Sequence, residues 1–265
     1  MMLRYVLQTA SIILLCVITS PVSAQQTNPT ANAIHSLSNS PVAFIPNRGQ
    51  IADSRGDRRP DILYPASSHN TQVYVRAGAI SYVFQRRAAN VDVHDESDDH
   101  HEGHREGSGT VDYYRMDVEL VGARQRVDVV EEDITDGVRH YYLGHCADGI
   151  LNVPAFGKVT LKDVYPKIDM VLRSSDQGMK CDFVVRPGGR PSDIRMRYVG
   201  ATSVQRAVDG SLLAATPLGD VLESAPVTYQ TIGASRRDVE SHFRVNGDVV
   251  SFDIGSYDRT RTLVI

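Results

Sequence analysis

The chain has no tryptophan, three cysteines and only 7% aromatic residues among its 265 positions. Tryptophan platforms for stacking sugars are therefore absent, and any aromatic surface must be built from tyrosine and phenylalanine. Long hydrophobic runs are missing after the first 24 residues. No later segment reaches the ~18 apolar residues that a membrane-spanning helix needs. No stripe of Lys and Arg alternates with aromatics, so nothing points to nucleic acid. Gly-x-Ser-x-Gly, a glycine-rich phosphate loop and His-Glu-x-x-His are all lacking, which removes the local signatures of common hydrolases and NTPases. No catalytic residue is nominated. A pair of distant carboxylates, as in glycoside hydrolysis, is a hydrolase class that these absences leave open.

Residues 1–24 have the anatomy of a signal peptide. Arg4 supplies a positive start, Ser11 to Thr19 form a short apolar run, and Val22-Ser23-Ala24 put small residues at a signal-peptidase site. Cleavage is expected after Ala24. Cys16 follows Leu15 inside the apolar run, where lipidation would need a small residue. The expectation is an exported protein, extracellular or at the cell surface, with the periplasm as the alternative. In that oxidising setting Cys146 and Cys181 are a candidate disulfide, and two small buried thiols are the other reading.

Residues 25–41 are polar and aperiodic, a flexible lead-in. From residue 42 to 265 short β-branched and aromatic runs alternate with turn residues, which predicts an all-β domain, a β-sandwich or two sandwich-like halves. Around Ala77-Gly78, "TQVYVRAGAISYVFQ" reads as two strands. "VESHFRVNGDVVSFDIG" reads as a hairpin turning on Asn246-Gly247. That register opposes Val245 to Asp248 and puts Val239, Phe243, Val250, Phe252 and Ile254 on one face. "RMDVELVGA" (115–123) and "RMRYVGA" (195–201) echo one another, as equivalent strands of a duplicated unit would.

The net charge of −4 is local in origin, because residues 91–107 hold seven acids against Arg105 alone. His94, His100, His101 and His104 fall in the same stretch, between two strand-like runs. A histidine pair four apart needs a rigid helix to make a catalytic metal site, and the intervening Gly103 and flanking aspartates make a poor one. Residues 91–108 therefore read first as a solvated, disordered loop inserted in a hairpin. Loose binding of Zn²⁺ or another divalent metal by the four histidines is the second reading, and no other cofactor is implied. "HYYLGHC" does not make a Cys/His nucleophile: His140 and Cys146 are ~20 Å apart in an extended strand. Asn47 and Gln50 of "FIPNRGQ" are expected to satisfy backbone groups in a turn.

"FIPNRGQ" (44–50), "HYYLG", "NVPAFGKVTLKDVYPKIDMVL", "DFVVRPGGRPSDIRMRYVGA", "PVTYQ" and "GSYDRTRTLVI" together resemble a domain of unknown function in exported bacterial proteins. Such domains commonly precede SBBP-type β-propeller repeats or other surface modules. The resemblance spans residues 43–265. It departs at "HCADGI", where the family has Asp and Trp, and at Ile265, where the family continues into further modules. It implies a non-catalytic module working through interdomain packing or adhesion-type contacts, with downstream repeat or propeller domains, a surface glycan or a protein as partner. The alternatives are a stand-alone carbohydrate- or metal-binding sandwich and, behind those, a hydrolase.

Overall fold

The computed structural model describes residues 42–68, 71–87, 110–175 and 178–265. Residues 1–41, read above as signal peptide and lead-in, and residues 88–109, which include His94, His100, His101 and His104, lie outside the described residues. In chain order the first strands are β1 (Ile62–Ser68), β2 (Thr71–Arg76), β3 (Ala79–Arg87), β4 (Val111–Leu120), β5 (Val129–Ile134) and β6 (Arg139–Leu143). Next come β7 (Cys146–Val153), β8 (Phe156–Tyr165), β9 (Ile168–Ser175), β10 (Gly178–Val185), β11 (Met196–Val199) and β12 (Ser203–Arg206). The rest are β13 (Leu212–Ala215), β14 (Val221–Glu223), β15 (Thr228–Ile232), β16 (Ser235–Val239), β17 (Ser241–Asn246), β18 (Val249–Ile254) and β19 (Leu263–Val264).

Two seven-stranded sheets carry the architecture. One has the order β1-β2-β3-β4-β11-β18-β17, the other β16-β15-β19-β10-β9-β8-β5. Both are antiparallel and pack as a sandwich, with no closed barrel. A three-stranded sheet, β12-β13-β14, and the hairpin β6-β7 complete it. One continuous core joins both large sheets, from Val75, Met116 and Tyr198 on the first to Leu161, Ile168, Leu172 and Leu263 on the second. The fold is therefore one sandwich and not two halves. No described helix is long and apolar enough to cross a membrane.

Alternation explains most strands. Along β2, Thr71, Val73 and Val75 are buried while Gln72 is exposed and Tyr74 and Arg76 are half-buried, as a sheet packed on one face requires. β3 and β4 pair from Ala79 opposite Glu119 to Arg87 opposite Val111, so the acidic, histidine-rich segment is inserted at a hairpin tip. The two echoing segments become antiparallel neighbours, β4 beside β11, with Met196 opposite Leu120.

The last hairpin keeps its predicted faces but not its register. Val245 lies opposite Val250 and Phe243 opposite Phe252, two residues along from the expected pairing. Gly247 takes φ +63° at the first central position, with Asp248 beside it, and Asn246 is the last strand residue. A two-residue slip preserves strand parity, so Phe243 and Val250 remain inside. Val239 leaves the hairpin and ends β16 in the opposite sheet.

The outer edges of both sheets are blunted against pairing. Pro65 removes a backbone donor from β1, and β5 carries Glu131, Glu132 and a left-handed Asp133 at φ +56°. β16 presents Arg236, Arg237 and Asp238, while His242 and Arg244 stand on β17. Proline, charge and local kinks are the devices by which sheet edges avoid adding foreign strands.

Candidate functional site

Three polar hubs account for most of the chain's distinctive motifs. In the first, Asn47 donates from Nδ2 to the carbonyls of Arg59 and Ile62, both at 2.8 Å. Its Oδ1 accepts from the Gly49 amide at 3.0 Å. Gln50 closes the same turn: Oε1 accepts from the Arg48 amide at 2.6 Å and Nε2 donates to the Pro46 carbonyl at 2.7 Å. Just upstream, Phe44 exchanges both backbone bonds with Phe156 at 2.9 Å and meets Tyr64 edge-on. The segment thus ties β8 of one sheet to β1 of the other. Asn47 and Gln50 serve backbone groups, as their residue types suggested.

The second hub is ionic. Asp169, 3% exposed, accepts the Asp163 amide at 2.8 Å and the Lys162 ammonium at 2.5 Å. Arg186 reaches Asp169 at 3.4 Å and also pairs with Asp163, whose carboxylate accepts the Lys167 amide at 2.9 Å. The β8–β9 turn needs this support because Asp163 and Lys167 both adopt positive φ, +51° and +62°. A Cβ on Gly189 would stand 3.0 Å from the Lys167 carbonyl, so glycine lets the "RPGG" turn close over this knot.

The third hub is a single side chain. Gln230 is fully buried between β15 and the 258–262 loop. Its Nε2 donates to the Asp258 carbonyl at 2.8 Å, with the Arg261 and Thr262 carbonyls at 3.4 Å, and Oε1 accepts the Asp258 amide at 2.8 Å. The loop it holds delivers β19 into the sheet between β15 and β10, where Ile265 exchanges backbone bonds with Phe183.

A fourth group lies where three sheets meet. Glu223 ends β14 of the small sheet and accepts the Tyr198 hydroxyl from β11 at 2.6 Å. The turn before β14 packs on β3, where a Cβ at Gly219 would be 3.0 Å from the Phe84 ring. Tyr82, two residues before Phe84, presents its ring on the same face. From the opposite sheet comes Cys181, on the side of β10 that carries Phe183 against Phe252 at 6.1 Å. Cys181 itself is exposed to solvent. Burial raises the Glu223 carboxyl above its ordinary 4.5, and the Tyr198 hydrogen bond offsets part of that rise. Burial also pushes up the Tyr82 phenol and the Cys181 thiol, and the charge of Glu223 adds to both. A carboxyl whose folded pKa is raised stabilises the fold fully below 4.5 and loses that contribution as pH rises through the folded value.

Cys146 and Cys181, the candidate disulfide, are both free. Cys146 is buried on β7, its Sγ 3.4 Å from the Gly49 carbonyl, whereas Cys181 is exposed on β10. His140 accepts the Asn152 amide at 3.3 Å, while Cys146 pairs with Leu143 at the far end of the β6–β7 hairpin. The two do not form a nucleophile and base. Among the described residues no group of three or more His, Cys, Asp or Glu is arranged to hold a metal, and the four loop histidines lie outside them.

The family described as a domain of unknown function, DUF7948, matches residues 44–265. The chain belongs to that family. No curated protein and no solved structure matches it. The matched span contains all four groups just described. Sequence reasoning missed Glu223 and Tyr198, because β14 is three residues long and nothing in "VLES" announces a carboxyl turned inward. Asp169 and Gln230 were equally silent. A buried acid or amide within a strand has no sequence signature until its partners, here 6 to 32 residues away, are placed.

Proposed function

We propose that this domain is a non-catalytic module of an exported protein, acting by contact with other macromolecules or neighbouring domains. One observation carries this reading: the polar residues of the recognisable motifs act on their own chain. Asn47, Gln50, Asp163, Asp169, Arg186 and Gln230 each bind a backbone group or ion of the same domain, leaving them committed to the fold. Residues kept for turnover would instead converge on a concave space with donors and acceptors unused.

The contact surface we favour spans β5 to β7. Five of the twelve large apolar side chains exposed among the described residues fall there: Val130, Ile134, Val138, Tyr142 and Leu151. Tyr142 is 78% exposed and Ile134 71%. Scattered apolar side chains are ordinary on a surface, and their concentration in this one segment is the ground on which we place the contact here. Asp133, Asp136 and Asp148 lie among them, which suits a partner with an apolar face and a basic rim.

The doubly substituted Ile134→Ser, Tyr142→Ser protein tests this surface. It should keep the wild-type melting midpoint but lose sedimentation with the envelope fraction of the producing cells. Equal sedimentation of the two proteins, or none by the wild type, would remove β5–β7 from the proposal.

A further inference from the structure

A cleft of about 410 Å³ opens on the outer face of the second large sheet. It is lined by Pro187, Thr231, Thr260, Arg261, Thr262 and Val264. Strand alternation puts it on that face: Gln230 and Leu263 are fully buried, so Thr231 and Val264 turn the other way. Tyr229 stands opposite Val264, which brings Thr231, two residues on, and Thr262, two residues back, to the same end of the cleft.

The walls are held from beneath. Gln230 fixes the Arg261 and Thr262 carbonyls. Asp258 accepts the Thr260 amide at 2.9 Å and its hydroxyl at 2.6 Å, and it accepts Arg261 Nε at 3.1 Å. Among the described residues the two terminal nitrogens of Arg261 and the hydroxyls of Thr231 and Thr262 have no protein partner. The surrounding charge is positive. Segments 231–238 and 258–262 carry Arg236, Arg237, Arg259 and Arg261 against Asp238 and Asp258.

We propose that this cleft binds a carboxylated pyranose ring, the uronate unit of an acidic glycan. The free end of the Arg261 guanidinium offers two parallel donors, the pattern that a carboxylate accepts. Threonine hydroxyls both donate and accept, as the hydroxyls of a sugar do, and three of them border the cleft. Pro187 and Val264 supply apolar surface for the C–H face of the ring. The volume lies within the ~300–1,000 Å³ of small-molecule sites. An acidic peptide side chain would satisfy the arginine but leave the threonines unused. β9 and β8 stand between this site and β5 in the sheet order, so it does not rest on the β5–β7 contact surface.

Titration of the protein with glucuronate, followed by the NMR signals of its backbone amides, tests the assignment. Saturable millimolar binding is expected, with shifts at Thr231 and residues 260–264. Glucose has the ring without the carboxylate, and the N-methylamide of N-acetylaspartate has the carboxylate without the ring. Each should bind at least about tenfold more weakly than glucuronate. Arg261→Gln should weaken glucuronate binding by a similar factor. That change also removes the Asp258 pair, so Thr231→Val supplies an isosteric change outside the loop, expected to weaken binding about threefold or more. No binding by the folded wild type would overturn the proposal. Equal affinity for either comparison ligand, unchanged affinity in either folded variant, or shifts confined to residues away from the cleft would do the same.

Discussion

Replacing Asp169 with alanine should destabilise the domain by about 3–4 kcal/mol and lower its melting midpoint by roughly 10 °C. Asp169 is the only buried member of its knot, with a side chain 5% exposed against 36% for Lys162 and 38% for Arg186. Its removal leaves the Asp163 amide without an acceptor and two cations without their shared anion. The half-exposed cations can regain water, which holds the loss near the lower end of the range for broken buried pairs. Asp169→Asn is the informative companion. It keeps an oxygen for the Asp163 amide and loses only the charge, so it should cost less than alanine. Urea unfolding of both variants measures the difference. A loss below about 1 kcal/mol for alanine would mean that the knot is a solvated surface pair.

Gln230→Ala should cost about 2–4 kcal/mol, through a different mechanism. No charge is involved; instead the Asp258 amide and the carbonyls it shares with Arg261 and Thr262 lose a buried partner. Each buried polar group left unsatisfied costs about 1–3 kcal/mol, and a loop able to move outward recovers part of that in water. The damage should be local. Amide hydrogen exchange should quicken along 258–264 and in Phe183, which pairs with Ile265, while β2 and β3 stay protected. Uniform acceleration across both sheets would show that Gln230 supports the whole sandwich and not one loop.

The contrast between what the sequence announced and what it hid follows from the range of the interactions. Strands such as β2 and β3 are legible because alternation is local and the Ala77-Gly78 turn lies between them. The faces of the β17–β18 hairpin were legible for the same reason, while its register depended on which of Asn246, Gly247 and Asp248 filled the central positions. Glycine took the first of them, a choice settled by turn geometry that composition does not record. Asn47 was readable because an Asn-x-Gly turn satisfies backbone within two residues. Glu223 was not, since its meaning arises only when β3, β10, β11 and β14 are brought together from positions more than 100 residues apart. His94, His100, His101 and His104, the most conspicuous chemistry in the sequence, lie outside the described residues.

The role proposed for the domain is tested most directly on the native protein in the organism that makes it. Its N-terminal residue, its mass and its location can be read together by fractionation and intact-mass spectrometry. An exported polypeptide beginning at Gln25 and heavier than the 29.2 kDa of this chain is the expected result, with the excess mass supplied by further modules. A protein retained in the cytoplasm with Met1 in place would contradict export, and with it the proposal that the domain works by contact outside the cell.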